Sequence, residues 1–340
     1  MLRIAAIGFG VLTDQTSKPY HELLAFARVV ASQTGGLVTA VWVGTADADA
    51  AGALILRGAD EVQLLSLPRS GLASAPQDNQ ADAYLPAEHA LIALEWAASQ
   101  FSLDIMLLPA DTIGAEVGPR LAHRIGGGIV TDVTGFGLNN AGTISWQRPI
   151  YGGKAVAVMI AQGKPQIATV RPRAFEALSP DPNRQGKIMR SEIAENPPLR
   201  VTLEERVREE TAGVRLEDAK IIVSGGRGIG GAEGFKELQH LADLLRGAVG
   251  CSRQAADAGW LASSSMVGQT GKIVSPDIYI AIGISGSSQH MAGVKARLIV
   301  AINNDKDAPI FNVAQVGVLS DWRKIVPALT RFVQEHEVKS

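Results

Sequence analysis

The sequence predicts an α/β protein built from two doubly wound parallel-sheet domains, and three observations carry that expectation. Short apolar runs alternate with segments of helical period through residues 1 to about 137, and again from Lys220 onward. This is the pattern of parallel strands covered on both faces by helices. A length of 340 residues with 46% hydrophobic side chains exceeds one average domain and suffices to fill two cores. Between the alternating regions lies Asn196-Pro197-Pro198, followed by Glu204-Glu205-Arg206 and Arg208-Glu209-Glu210. Proline and interspersed charge mark a joint that few contacts cross. The expected division is an N-terminal α/β domain over 1–196, a connector over 197–217, and a second domain over 218–340.

In the first domain, strands are expected at Ile4–Ile7, Leu37–Val43, Glu61–Leu67, Ile105–Leu108 and Ile129–Val133. Helices are expected between them at Glu22–Ala31, Ala48–Leu56, Ala87–Ala98 and Ala115–Arg124. Asp111-Thr112 reads as the N-cap of the last helix, with Glu116 near its positive end. The turn from Pro109 to Gly114 has the form of a phosphate loop, although such turns recur in every α/β domain. From Ile144 the helical period disappears. Trp146–Ile150, Ala155–Ile160 and Gln166–Val170 suggest an antiparallel extension, with Tyr151-Gly152-Gly153 as a turn. Arg171-Pro172-Arg173 closes it, either as an anion grip or as a solvated loop. Lys187–Ile193 is a further strand, ended by the prolines.

Several function classes are excluded on composition. A net charge of −2 gives no reason to expect nucleic acid or an anionic membrane. The single cysteine, Cys251, rules out an intrachain disulfide, a cysteine-ligated iron–sulfur cluster and a zinc ribbon. Placed between Gly250 and Ser252, it reads as a small packing residue. No apolar run approaches the ~20 residues needed to cross a bilayer, so no membrane insertion is expected. Ile4 to Leu12 is interrupted by Gly8 and Gly10 and followed by Asp14, which suits a first strand better than a secretory leader. A cytoplasmic location is expected.

The second domain carries the chemistry. Lys220–Val223 is a strand, followed by Gly225-Gly226-Arg227-Gly228-Ile229-Gly230-Gly231 and a helix with Phe235, Leu238, Leu241 and Leu245 on one face. Gly226, Gly228 and Gly231 form a G-x-G-x-x-G between strand and helix, a Rossmann-like placement. That fingerprint calls for an acidic residue after the next strand to hold a ribose hydroxyl. Here Ala248–Cys251 is followed by Ser252-Arg253, which argues against ordinary NAD readout. A strand over Ile278–Ile282 then runs into Gly283-Ile284-Ser285-Gly286-Ser287-Ser288-Gln289-His290. A last strand, Leu298–Ile302, ends at Asn303. Glycines permit close backbone approach at the carboxyl ends of these strands, where nucleotides bind.

Gly268-Gln269-Thr270-Gly271, Pro276, Tyr279, Gly283-Ile284-Ser285-Gly286, Gln289-His290, Gly293 and Ala301-Ile302-Asn303 together resemble the FAD-binding signature of the electron transfer flavoprotein α-subunit family. The likeness is nearly continuous from 219 to about 330 and looser before it. Arg148–Gly153 and Pro165–Pro172 are similar to the branch associated with nitrogen fixation and anaerobic acyl-CoA metabolism. The resemblance implies FAD in the second domain, held by Arg227, Ser252, Arg253 and the run Val267, Gly268, Gln269 and Thr270. It further implies contacts from Ser285, Gly286, Ser287, Ser288, Gln289 and His290, and from Asn303, Asp321 and Trp322. In that reading Arg227 and the glycine loop suit the pyrophosphate, and Gln269 and Thr270 the isoalloxazine edge. Arg253 and His290 place positive charge beside the ring, favouring its anionic reduced forms. Ser287-Ser288 departs from the family's usual alanine and branched apolar residue.

The resemblance also implies a heterodimer with a β-subunit and the role of an electron carrier more than an enzyme with its own substrate. The implied donor is a flavin dehydrogenase of the acyl-CoA type, as in fatty acid β-oxidation, and the acceptor a quinone reductase, ferredoxin or similar carrier. Electron bifurcation would depend on whether the β-subunit holds AMP or a second FAD. On residues alone, an NAD-dependent oxidoreductase and a nucleotide-sensing module remain alternatives. An absorption spectrum separates all three.

Overall fold

A computed structural model describes residues 1–13, 18–66, 86–139, 142–153, 155–193 and 214–337. The chain divides into two compact units, Met1–Val207 and Arg208–Ser340. Leu67 and residues 197–213 of the expected connector lie outside the described residues.

The first unit is organised on β1 (Arg3–Leu12), whose Ile4, Ala5, Ala6 and Ile7 are all fully buried. Such a run without alternation is what a strand covered on both faces requires. Its residues divide by parity. Ile4 and Ala6 join one core with Leu24, Phe26 and Leu54, while Ala5 and Ile7 join another with Leu91, Leu94 and Leu121. The first core takes helices α1 (Lys18–Thr34) and α2 (Ala48–Leu56); the second takes α3 (Ala87–Gln100) and α4 (Thr112–Ile125). The Asp111 side chain caps α4 by accepting from the Gly114 amide at 2.8 Å. Gly126 ends the helix in the left-handed region at φ 69°.

The remaining strands are β2 (Leu37–Ala46), β3 (Glu61–Ser66), β4 (Ile105–Pro109), β5 (Gly128–Val133), β6 (Gly135–Leu138), β7 (Ile144–Ile150), β8 (Ala155–Met159), β9 (Gln166–Val170) and β10 (Lys187–Glu192). Seven strands form one parallel sheet in the order β10-β3-β2-β1-β4-β9-β5. The expected antiparallel extension is confined to β6-β7-β8. Gln166–Val170 is a correction to it, because β9 inserts between β4 and β5 in parallel register. The reason is visible in its side chains: Ile167, Ala168, Thr169 and Val170 are all buried, a two-faced strand. β8 is the opposite case, an exposed edge. Tyr151–Gly153 forms one turn of 3₁₀ helix between β7 and β8.

The second unit contains β11 (Ile221–Gly225), β12 (Ala248–Cys251), β13 (Ile278–Ile282), β14 (Leu298–Asn303) and β15 (Val316–Leu319), parallel in the order β12-β11-β13-β14-β15. Helix α5 (Ala232–Leu244) buries Phe235, Leu238 and Leu241, as its period predicts. The short helices α6 (Arg253–Asp257) and α7 (Ser288–Met291) and the long α8 (Trp322–Glu337) complete it. The chain leaves β11 toward β12 and returns on the other side at β13. Strand order therefore reverses between β11 and β13, where a doubly wound sheet opens a crevice. Among the described residues, no helix is long and apolar enough to cross a membrane.

Candidate functional site

A cleft of about 600 Å³ opens at the carboxyl ends of β11, β12, β13 and β14. Its floor is backbone against backbone. The Gly226 amide donates to Ile282 at 2.9 Å, and the Gly228 amide to Gly283 at 3.0 Å. A Cβ on Gly226 would stand 2.7 Å from the Ile284 Cα, and Gly283 takes φ 59°. The glycines are thus required by the approach of two loops. Opposite them, Gly293 lies against Gly268, where a Cβ would come within 2.6 Å of the Gly268 Cα. The Gln269 amide donates to the Gln289 carbonyl at 2.8 Å, which joins the 266–270 segment to α7.

The cleft brings together most of the residues singled out from sequence. Arg227, Ser252, Arg253, Val267, Gly268, Gln269 and Thr270 line it, as do Ser285, Ser287, Gln289, His290 and Asn303. Gly286 and Ser288 are adjacent but outside the lining. Gly286, at φ 82°, turns against the Ile310 backbone. Asp321 and Trp322 are also outside it. Asp321 accepts from the Arg323 amide at 3.0 Å, and the Trp322 ring packs in the core with Ile229 and Phe235. Asn303 spends its amide on the fold, donating to the Ile284 carbonyl at 2.9 Å and accepting from the Asp305 amide at 3.0 Å. Gln254, Met266, Asp305 and Ala308 line the cleft without having been singled out. The signal for three of them was positional: Gln254 and Met266 adjoin Arg253 and Val267, and Asp305 stands two residues past Asn303 at the end of β14. Nothing in the sequence marked Ala308.

Positive charge in the cleft comes from Arg227 and Arg253, while Asp305 brings a carboxylate to the lining. Arg253 stands 3.5 Å from Asp257 with both side chains largely exposed, a pairing too weak to hold the guanidinium from an anion. His290 differs from the expectation of positive charge. It is buried, and its Nε2 lies 2.9 Å from the Tyr279 hydroxyl. Burial pushes its pKa down to about 4, with the Val267 backbone opposing. The imidazole is neutral at physiological pH because desolvation outweighs every nearby partner. Burial likewise pushes the Cys251 thiol up to about 11.

Two polar atoms at this site are buried without a completed hydrogen bond, Ser252 Oγ and His290 Nδ1. Such groups ask for a partner. Together with the glycine floor and the guanidinium groups of Arg227 and Arg253, they suit a large, anionic ligand rich in hydrogen-bonding edges. A dinucleotide flavin meets that description. Among the described residues, no cluster of side chains suits a metal ion.

Comparison with known proteins agrees with this geometry. The family described as "Electron transfer flavoprotein FAD-binding domain" matches residues 215–295, and "Electron transfer flavoprotein domain" matches 13–196. The chain is 38% identical over 318 residues to an electron transfer flavoprotein subunit alpha of Thermoanaerobacterium thermosaccharolyticum, covering 92% of each chain. It is 36% identical over 320 residues to the subunit alpha of Bacillus subtilis, covering 94% of each. It is 37% identical over 318 residues to Protein FixB of Clostridium saccharobutylicum, covering 92% of this chain and 91% of that one.

Proposed function

Because the chain belongs to the electron transfer flavoprotein α-subunit family and carries its FAD-binding domain, we propose that it is the flavin-bearing half of a heterodimer with a β-subunit. In this role it carries electrons from a flavin dehydrogenase of the acyl-CoA type to a quinone reductase, ferredoxin or similar acceptor in the cytoplasm. The observation that carries the reading is a cleft at the β11/β13 reversal, most of whose lining lies inside the matched FAD-binding segment. Bound FAD supplies reversible uptake and release of electrons.

The protein's own residues supply the rest of the reading. Arg227 and the amides of the Gly226–Gly228 loop hold the pyrophosphate by charge and backbone donation. Ser252, Val267, Gly268, Gln269 and Thr270 bind the ring and its substituents. Arg253 presents the charge that favours electron-rich flavin. Ser285, Ser287 and Gln289 address the ribityl and phosphate region, with Asn303 fixing the loop beneath them. Gly286, Ser288, Asp321 and Trp322 support these groups from outside the lining. The 197–217 connector joins the 1–196 and 218–340 domains and lets the flavin-bearing one turn toward different partners. An NAD-dependent oxidoreductase is the weaker reading, since Ser252-Arg253 stands where an acidic ribose ligand would be needed.

The test is direct. The chain, purified after co-expression with its β-subunit, should show a flavin absorption spectrum with FAD retained through gel filtration. Arg253→Ala should keep the cofactor and lower its reduction potential. A colourless heterodimer that cannot be reconstituted with FAD refutes the reading.

A further inference from the structure

Gln269 and Thr270 stand on a closed loop of the cleft wall. The Lys272 amide donates to the Met266 carbonyl at 2.7 Å, and the Gly268 amide donates to the Lys272 carbonyl at 3.2 Å. These two bonds form a neck, beyond which Gln269 and Thr270 reach the cleft lining. The neck is tight: a Cβ on Gly271 would come 2.4 Å from the Met266 oxygen. With so few residues beyond the neck, whatever holds the neck sets where Gln269 and Thr270 stand.

Two successive residues at the end of the connector hold it. Leu216 is buried in one core with Val267, Val274 and Tyr279. A Cβ on Gly250 would stand 3.1 Å from Val267 Cγ2 and 3.4 Å from Leu216 Cδ2, so the two side chains meet over that glycine. Lys272 is bridged to Val267 across the neck, and its ammonium donates a short, charge-assisted hydrogen bond to the Glu217 carboxylate. The segment bearing both residues is itself a turn. The Asp218 amide donates to the Arg215 carbonyl at 3.1 Å, and the Arg215 Nε to the Asp218 carboxylate at 2.8 Å. Leu216 thus grips one limb of the neck and Glu217 the other.

We infer that Leu216 and Glu217 are positioning residues for the flavin site, clasping the neck of the 266–272 loop so that Gln269 and Thr270 are held at the ring. Neither of them lines the cleft, so both act through the loop. The two grips differ in kind. The Glu217–Lys272 pair is 43% and 40% exposed, which makes it modest and weakened by salt. The Leu216 grip is apolar and is not screened. The clasp also ties the end of the connector to the residues assigned to the ring. This inference rests on the flavin reading for what the loop holds, although not for the clasp itself.

The experiment uses the full chain co-expressed with the β-subunit, and follows FAD release by the rise in flavin fluorescence at low and at high sodium chloride. Glu217→Gln and Lys272→Met should each speed release about two- to fivefold at low salt, the range of an exposed pair, and much less at high salt. The double variant should release FAD no faster than the faster single one, because both changes remove the same contact. Leu216→Val, which removes one methylene, should speed release alike at both salt levels; should it fail to fold, Leu216→Met, of nearly the same volume, takes its place. The visible circular dichroism of the bound flavin should change in each variant, a signal that a loss of overall stability alone would not move. Wild-type release rates in both charge variants or in the Leu216 variant overturn the inference, as do additive effects in the double variant or an unchanged flavin dichroism throughout. On flavin-free protein, hydrogen exchange at the Gly268 and Lys272 amides should quicken in Glu217→Gln, and unchanged exchange there overturns the clasp. Absence of FAD from the purified complex would refute the functional reading while leaving that exchange free to decide this one.

Discussion

Gly226→Ala is the substitution with the most to reveal about the cleft. Its Cβ would stand 2.7 Å from the Ile284 Cα and 2.8 Å from the Gly283 carbonyl carbon, with the Gly283 oxygen nearer still. All of these are backbone atoms, so no side chain can swing aside. Ordinary contact needs the two loops to part by close to an ångström. That parting strains the Gly226-to-Ile282 and Gly228-to-Gly283 hydrogen bonds, now 2.9 and 3.0 Å. Overpacking of ~1–3 kcal/mol plus about 1 kcal/mol for each of the two weakened bonds gives at least ~3 kcal/mol. Since 1.4 kcal/mol is a factor of ten, that is roughly a hundredfold in the folding equilibrium of the second unit. The control is Gly231→Ser, five residues on. A Cβ at Gly231 meets nothing within 4 Å, its φ of 164° is ordinary extended backbone, and serine suits the N-cap of α5. Urea unfolding with FAD release followed by fluorescence should show Gly226→Ala shifted to lower denaturant with reduced flavin content, and Gly231→Ser unchanged or slightly stabilised. A Gly226→Ala protein with full FAD and a wild-type midpoint would refute the claim that the floor is set by backbone approach.

Three other outcomes follow from the same structure. Cys251, fully buried and with its thiol raised to about 11, should resist alkylation by iodoacetamide at pH 7.5 in the native protein and react stoichiometrically once unfolded; native labelling contradicts the burial. His290 is depressed from 6.5 to about 4, so between those values the unfolded chain binds the proton and the folded chain does not. Stability should fall as pH drops from about 6.5 toward 4, by up to ~3 kcal/mol at 1.36 kcal/mol per pKa unit, and His290→Gln should flatten that part of the denaturation profile measured on flavin-free protein. Gly52, inside α2 with open space where a Cβ would stand, should accept alanine with a gain of ~0.5–1 kcal/mol, read as a higher urea midpoint of the first unit.

Most strands and helices of both units were legible because burial on two faces leaves unbroken apolar runs, and helices between them keep a 3.6-residue period. β6, β15 and α8 were not among those expected. α2 was read to the residue as Ala48–Leu56, and the structure shows Asp47 capping it and Arg57 ending it. What sequence could not carry was neighbourhood. β9 looks like the third strand of a meander following β7 and β8, yet it leaves that hairpin and enters the main sheet. Only the absence of alternation in Ile167–Val170 hinted at it. Sequence misleads on the charge of His290 for a related reason. Its motif puts it at a glycine-rich turn, where a solvated cation is natural, whereas Tyr279 and β13 bury it from behind. Asp321 and Trp322 sit at the start of α8, and nothing in their spacing distinguishes a cleft residue from the Trp322 that packs behind Ile229.

The insertion of β9 between β4 and β5 also sets an order of events during synthesis. When residue 133 emerges, β5 has no sheet partner, because its neighbour is a strand still more than thirty residues away. β4 is in the same position on its outer side, held only by β1. The chain lays out the hairpin strands β6 to β8 before it returns, so that Gln166–Val170 becomes available to β4 and β5 only after both have been made. A growing chain that stalls before Val170 therefore leaves the β9-facing edges of β4 and β5 unpaired, in addition to the outer edge of β3 that awaits β10. Such edges are a natural target for chaperone capture. Fragments ending just before and just after β9 should differ sharply in solubility, although they differ by only a few residues.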